Sequence, residues 1–490
     1  MSTTAEPADH RGERPETDGP LTEAGHGGST RTTLETMGDP ITSSYRAQPA
    51  NLLVQDGFGA LLTEGDVASG SAGATLRQLR SRGRLRGAAA LLGPAFVAAI
   101  AYVDPGNFAT NFSAGTAFAY RLAWVVLAAN LMAMLVQYLS AKIGVATGKD
   151  LPELCREQLP RAVSRGLWVQ AELVAMATDM AEFIGAAIGL NLLFRTPLLI
   201  AGLITAAAAF AILALEQRGY RRFELAIIGL LGIVVLGFAY DLAAVHPSGA
   251  GIASGLVPRL GGSAYLLLAV GIIGATVMPH VVYLHSALTK SRVPCQDDGE
   301  RRELLRFQRL DVLIALGAAG LVNLAMLFVA AALFSHSGHS AQAAAVASGS
   351  IEAAHADLAR MVGGAAALAF AVTLLASGLS SSSVGTYAGQ VVMQGFIGRG
   401  VPLFARRAIT MLPALIALAA GLPPTATLVI SQVVLSFGIP FALVPLVALT
   451  RRADIMGPLV NRPLTTCAAA GTTGIIIALN VYLLAVTLLH

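Results

Sequence analysis

Eleven long apolar segments leave this chain little choice of fold. They run at about 88–119, 122–145, 167–194, 197–215, 223–244, 264–289, 311–334, 360–396, 404–421, 425–449 and 464–489. A helix rising about 1.5 Å per residue needs about 20 apolar residues to cross about 30 Å of hydrocarbon. Within hydrocarbon every backbone polar group must be bonded internally, which leaves helices or closed barrels. The apolar residues come in runs rather than in alternation, so the expected class is an all-α polytopic membrane protein with eleven transmembrane helices. Charged residues make up only 13% of the chain, against about 25% in soluble domains. Segment 8 is long for one straight span and is expected to bend near Ser380–Thr386.

Two segments are interrupted. Segment 1 contains Asp104-Pro105-Gly106-Asn107, and segment 6 contains Met278-Pro279-His280. Proline lacks the N–H a helix needs, and glycine lacks the restraint of a Cβ. Unwound backbone survives at membrane depth only where it lines a cavity or is buried in protein. Paired interruptions in separate halves of a chain point to a transporter's binding site.

Residues 1–87 are rich in Gly, Ser, Thr and acidic residues without apolar periodicity, and are expected to form a disordered cytoplasmic tail. Residues 88–490 form the transmembrane domain. No short apolar leader opens the chain, so segment 1 is expected to act as its own insertion signal. Of the 33 Lys and Arg, 25 are either the five arginines at 77–86, just before segment 1, or lie at the connections after segments 2, 4, 6, 8 and 10. That asymmetry places the N-terminus in the cytoplasm and fits a multi-pass protein of the cell membrane. The basic excess faces lipid headgroups, and nucleic acid need not be invoked. Cys155, Cys295 and Cys467 are far apart and are read as free thiols.

The breaks carry metal-ligand chemistry. An Asp near the bilayer centre costs about 2.5–3.5 kcal/mol, and a bound cation or proton offsets that cost. Asp104 also suits an N-cap, and the two roles are compatible. Asn107 stands three residues on, close enough to share one ion. The carbonyls of Ala101 and Ala275, just before the breaks, lose their helical partners and become free acceptors. The Met278 thioether is soft, whereas Mg²⁺ and Ca²⁺ prefer oxygen. Carboxylate, amide, carbonyls and one thioether therefore favour Mn²⁺, Fe²⁺, Co²⁺ or Cd²⁺. Asn130, Asn323 and Gln432, in segments 2, 7 and 10, are read as interhelical bonds, and Gln432 could also swing an oxygen toward the ion; His336, His339 and His355 are read as solvated loop residues.

Segment 3 carries Asp179 and Glu182, three apart and so on one face. Two carboxylates in a low dielectric are not both charged unless paired. The available cations are Arg292, Arg406 and Arg407. A chain from Asp104 through Glu182 and Asp179 to these arginines would carry protons; a static salt-bridge cluster is the alternative. His280 and His285 are each a ligand, a proton carrier or a packing residue.

Together these motifs resemble the Nramp family of proton-coupled divalent metal transporters, most closely its bacterial manganese-transport branch. The likeness rests on Asp104–Asn107, Ala275–His280, Asn130–Met134, Thr178–Phe183, Tyr283–Ser286, Ala376–Ser381, Gly389–Met393 and Ser431–Leu435, and covers about 88–489. It implies a leucine-transporter-like fold, with segments 1–5 and 6–10 as inverted repeats. It implies metal ligands at Asp104, Asn107, Met278, Ala101 and Ala275, with Gln432 joining on occlusion. It puts His280, Asp179, Glu182, Arg292, Arg406 and Arg407 in or near a proton route. Val281 stands where many relatives have Asn. The implied function is import of divalent transition metals, Mn²⁺ first, in symport with protons. The metal and the proton are substrates; no cofactor and no obligatory protein partner is expected. The rivals are a sodium-coupled organic-solute symporter on the same fold and a passive cation channel. A membrane enzyme is disfavoured, since no H-E-x-x-H occurs.

Overall fold

In the computed structural model, residues 93–216, 220–290, 293, 295, 297–334, 351–398 and 402–489 are described. The tail, Arg292, His336 and His339 lie outside them. The described chain is nearly all helix. Its elements are α1 (Pro94–Ala101), α2 (Pro105–Phe118), α3 (Ala123–Thr147), α4 (Leu151–Gln158), α5 (Arg161–Phe194) and α6 (Leu198–Glu216). There follow α7 (Tyr220–Val245), α8 (Gly249–Gly255), α9 (Ser263–Thr276), α10 (Pro279–Lys290), α11 (Asp298–Phe334) and α12 (Ile351–Met361). The last are α13 (Gly364–Ile397), α14 (Leu403–Ala419), α15 (Pro424–Thr450), α16 (Ala453–Met456) and α17 (Pro463–Leu489).

Seven described stretches are long and apolar enough to cross a membrane, or eight if the pair Gly229–Val245 and Gly249–Gly255, bent by 117°, is one span. The eleven-segment reading is matched to that extent. Leu131, Leu173, Leu236, Leu321, Ile409 and Val481 are exposed, the apolar outer surface of a membrane-embedded protein.

Helices α13 and α5 pack along each other at the centre. Small residues permit their close approach. A Cβ on Gly378 would meet Ala186 at 2.8 Å, and one on Gly189 would meet the Leu375 backbone at 2.7 Å. Helix α11 lies against α1, α2 and α3, while α15 lies against α5, α9 and α2. The interrupted pairs α1/α2 and α9/α10 therefore sit inside a shell of continuous helices, where their backbone is sheltered.

Segment 8, expected to bend near Ser380–Thr386, is the continuous 34-residue helix α13. The hydroxyls of Ser380, Ser383 and Thr386 donate to carbonyls three or four residues back, at 3.0, 3.1 and 2.9 Å. Their polarity is absorbed within the helix. Helices α5 and α11 also start earlier than their apolar runs, at Arg161 and Asp298, because polar helix formers extend them.

Candidate functional site

Both interruptions follow from proline placement. Helix α1 stops at Ala101, and Asp104 caps α2 by accepting the Asn107 N–H at 2.8 Å, with Pro105 in the first turn. Helix α9 stops at Thr276 and Pro279 opens α10. Pro105 and Pro279 each stand four residues after an alanine. An α-helical carbonyl at position i is paid for by the N–H at i+4, and proline has none. Ala101 and Ala275 are therefore the carbonyls stripped of a helical donor. The Ala275 carbonyl accepts Asn107 Nδ2 at 3.0 Å, and the same Nδ2 donates to Asp104 Oδ1 at 2.7 Å. One amide thus joins two breaks 174 residues apart in sequence.

Three buried side-chain oxygens of these residues have no hydrogen-bond partner: Asp104 Oδ2, Asn107 Oδ1 and Gln432 Oε1. Gly106 brings Asp104 and Gln432 together. A Cβ there would stand 2.0 Å from Gln432 Nε2 and 2.9 Å from Asp104 Oδ2, so both side chains flank one glycine. Asp104, Asn107, Ala275, Met278 and Gln432 all have 0% exposure. Buried polar atoms are normally bonded; a bare carboxylate oxygen with bare amide oxygens on neighbouring residues suits a cation. Among the described residues no group of three His, Cys, Asp or Glu could hold a metal.

On one side of this site lies a cluster of rings. Phe108 and Phe112, one and two turns beyond Asp104, pack on Phe238 of α7 and Phe370 of α13 with centroids 5.0–6.4 Å apart. His355 is half-buried and tilted over Phe370 at 6.5 Å, so it is not simply a solvated loop residue. On the other side α1 returns into the bundle. Asp311 of α11 accepts the backbone N–H groups of Gly93 (3.1 Å) and Ala95 (2.9 Å) at its start.

The acidic pair of α5 faces α13. A Cβ on Gly385 would stand 2.9 Å from Glu182 Oε2 and 3.3 Å from Asp179 Oδ1. Asp179 pairs with Arg407 at 2.8 Å, and Arg407 also donates to the Ser382 hydroxyl. Neither oxygen of the fully buried Glu182 is hydrogen-bonded. Arg406 forks onto Glu172, at 3.1 and 2.8 Å, two turns before Asp179 on α5. Adjacent residues on α14 point about 100° apart, so Arg406 and Arg407 reach different turns of α5. His280 Nδ1 lies 3.3 Å from the Thr178 hydroxyl, beside Asp179 in sequence.

Several partners escaped the reading of sequence. His285 Nδ1 lies 2.9 Å from Gln137 Oε1, and Gln137 Nε2 donates to the Tyr102 hydroxyl at 2.6 Å. Gln137 carries the signal that marked Asn130, an amide in an apolar run. Asn323 does bridge helices, accepting from Asn111 (3.2 Å) and donating to the Tyr102 carbonyl (2.9 Å). Asn130 Oδ1 has no partner. Glu172 and Asp311 sit near segment ends, where an acid reads as solvated. At the far end of α10, Lys290 meets Asp150 (2.7 Å) and Glu153 (3.0 Å). Burial pushes the Asp150 carboxyl up to about 6, with Lys290 opposing that rise. Cys155, Cys295 and Cys467 are free thiols.

Comparison with known proteins bears on this geometry. The family model described as "Natural resistance-associated macrophage protein-like" matches residues 95–486. The divalent metal cation transporter MntH of Bacillus subtilis (strain 168) is 51% identical over 400 residues, covering 81% of this chain and 92% of its own. That of Deinococcus radiodurans is 50% identical over 413 residues, covering 84% and 93%. A crystal structure of a mutant Eremococcus coleocola manganese transporter superposes with a TM-score of 0.74 at 32% identity, covering 84% of this chain and 89% of that one. A nucleobase-cation-symport-1 family transporter, Mhp1, shares the fold at a TM-score of 0.55 and 14% identity.

Proposed function

The chain belongs to the Nramp family, and on that premise we propose that it imports divalent transition metals, Mn²⁺ foremost and also Fe²⁺, Co²⁺ and Cd²⁺, in symport with protons by alternating access. It is a transporter and not an enzyme, as its relatives are named. The working architecture is an eleven-span leucine-transporter-like fold in the cell membrane, its two five-helix repeats inverted and its N-terminus cytoplasmic. The ring cluster then faces outward, and the Asp311 end of α1 faces the cytoplasm.

One observation carries the reading: at the break the fully buried Asp104 and Asn107 each keep an oxygen without a partner, the Gln432 side chain stands beside Asp104 across Gly106, and Asn107 ties this break to the Ala275 carbonyl of the other. Asp104 supplies charge, the amides and carbonyls supply neutral oxygen, and Met278 supplies the soft donor that disfavours Mg²⁺ and Ca²⁺. Metal is handed between the ring-cluster side and the α1 side as one face closes before the other opens. Protons follow a separate route through α5. Glu182 lies buried without a bond, Asp179 is held by Arg407, and His280 reaches the same stretch through Thr178. The carboxylate free of a fixed partner, Glu182, takes and releases the proton, while Arg407 holds Asp179 in an ion pair. Arg406, fixed on Glu172, continues that polar track toward the cytoplasm.

The test is proteoliposome uptake of Mn²⁺, Fe²⁺, Cd²⁺ and Mg²⁺ with internal pH recorded. Wild type is expected to take up Mn²⁺ saturably, reject Mg²⁺ and acidify the lumen. Met278→Ala is expected to lose discrimination against Mg²⁺ and Ca²⁺ more than it loses Mn²⁺ transport. Equal Mn²⁺ and Mg²⁺ uptake by wild type would overturn the proposed selectivity, and Mn²⁺ uptake without acidification would overturn the symport.

A further inference from the structure

Asp241 of α7 is a buried acid that none of the chemistry above uses. Its exposure is 0%, and neither of its oxygens has a hydrogen-bond partner. Buried carboxylates are ordinarily paired or bonded, because an uncompensated charge in a low dielectric is costly. The helix register fixes which way it faces. Residues three and four apart share a helix face, and Asp241 follows Phe238 by three and Gly237 by four. Phe238 packs on Phe108 and Phe112 of α2. A Cβ on Gly237 would stand 2.1 Å from Thr373 of α13. Asp241 therefore stands on the face of α7 turned to α2 and α13, one turn beyond Phe238. That is toward the end of α7 at Val245. At roughly 1.5 Å per residue, Phe112 lies roughly 12 Å along α2 from Asp104. The rings thus stand between Asp104, which keeps one bare oxygen, and Asp241, which keeps two.

From this geometry we infer that Asp241 is an entry station for the divalent cation, holding it outside the ring cluster before the rings part and the ion drops to Asp104. The inference rests on the proposed transport direction. A single carboxylate with low-dielectric walls concentrates cations locally, by about tenfold or more. It attracts Mn²⁺ and Mg²⁺ alike, since it lacks a soft donor. Selection is left to Met278, and the entry station sets only how readily metal arrives.

The experiment is the initial rate of Mn²⁺ uptake against Mn²⁺ concentration in proteoliposomes, for wild type, Asp241→Asn, Asp241→Glu and Asp104→Asn. Asp241→Asn is expected to raise KM about tenfold with kcat within about twofold, and to leave the Mn²⁺/Mg²⁺ preference unchanged. Asp241→Glu, which keeps the charge, is expected to restore KM. An unchanged KM in Asp241→Asn, or a kcat loss of the same size in the Asn and Glu variants, would show a structural residue and overturn the inference. Asp104→Asn should abolish uptake. If wild type does not transport Mn²⁺, or Asp104→Asn transports it normally, the function itself fails, and the entry station fails with it.

Discussion

Replacing Asp311 should open the cytoplasmic side of the transporter. Helix α1 is only 8 residues long and ends at the break, so it is the short arm that can swing while α2 stays packed. Its first N–H groups have no helical partner. Asp311 satisfies those of Gly93 and Ala95 at 2.9–3.1 Å from a fully buried carboxylate. Hydrogen bonds to a charged group contribute about 1.5–3 kcal/mol each, but in the open state water would replace them. Loss of a helix cap costs about 0.5–2 kcal/mol. With two donors released, Asp311→Ala should shift the equilibrium toward the cytoplasm-open form by about 1–3 kcal/mol, or about 5–150-fold. The assay is alkylation of Ala98→Cys, a position on α1 with 0% exposure, in a chain whose three native cysteines are replaced. A reagent applied from the cytoplasmic side should label the Asp311→Ala background faster by that factor. Labelling at the wild-type rate, with the protein intact by melting temperature, would refute the argument that this carboxylate holds α1 closed.

Two further perturbations act at a distance. Gly185→Ala would bring a Cβ to 2.0 Å from the Pro105 ring. A rigid ring cannot move aside, so the first turn of α2 must shift and carry Asp104 and Asn107 with it. Mn²⁺ affinity measured by calorimetry should fall at least about tenfold with no ligand changed, and unchanged affinity would count against this packing. Lys290→Ala removes the counter-charge of buried Asp150, whose carboxyl burial already raises to about 6. An acid with a raised folded pKa stabilises below its unfolded value and loses that contribution as pH rises through the folded one. Without Lys290 that folded value climbs further. The variant's melting-temperature deficit should therefore be larger at pH 8 than at pH 5.5, and a deficit independent of pH would sink this account.

What was legible in the sequence was local chemistry. Pro105 and Pro279 open new helices, whereas Pro413, Pro440 and Pro445 lie inside α14 and α15; it was proline together with the adjoining polar residues of Asp104–Asn107 and Met278–His280 that marked the two breaks. Asp104 and Asn107 are three residues apart and needed no tertiary information. What was not legible was contact between distant elements. Nothing in the chain separates Arg406 from Arg407, and only the angle between adjacent helical residues sends one to Glu172 and the other to Asp179. Asp311 looks like any acid where an apolar run begins. Its partners are backbone N–H groups, which leave no mark in a sequence. The hydroxyls of α13 bond within their own helix, a local pattern that needs no distant partner.

The burial of α2 has a consequence for how this protein is made. Asp104, Asn107, Thr110 and Asn111 all lie on the second half of the first span, and all are buried. Their cover comes from later chain: the Ala275 carbonyl is 168 residues on and Asn323 is 212 residues beyond Asn111. At about 5–20 residues per second of synthesis, the most polar segment waits on the order of 10–40 s for its partners. During that interval these polar groups lack the later partners that bury them in the finished fold. A mutation slowing synthesis between 111 and 323 would lengthen that exposure without altering the finished fold.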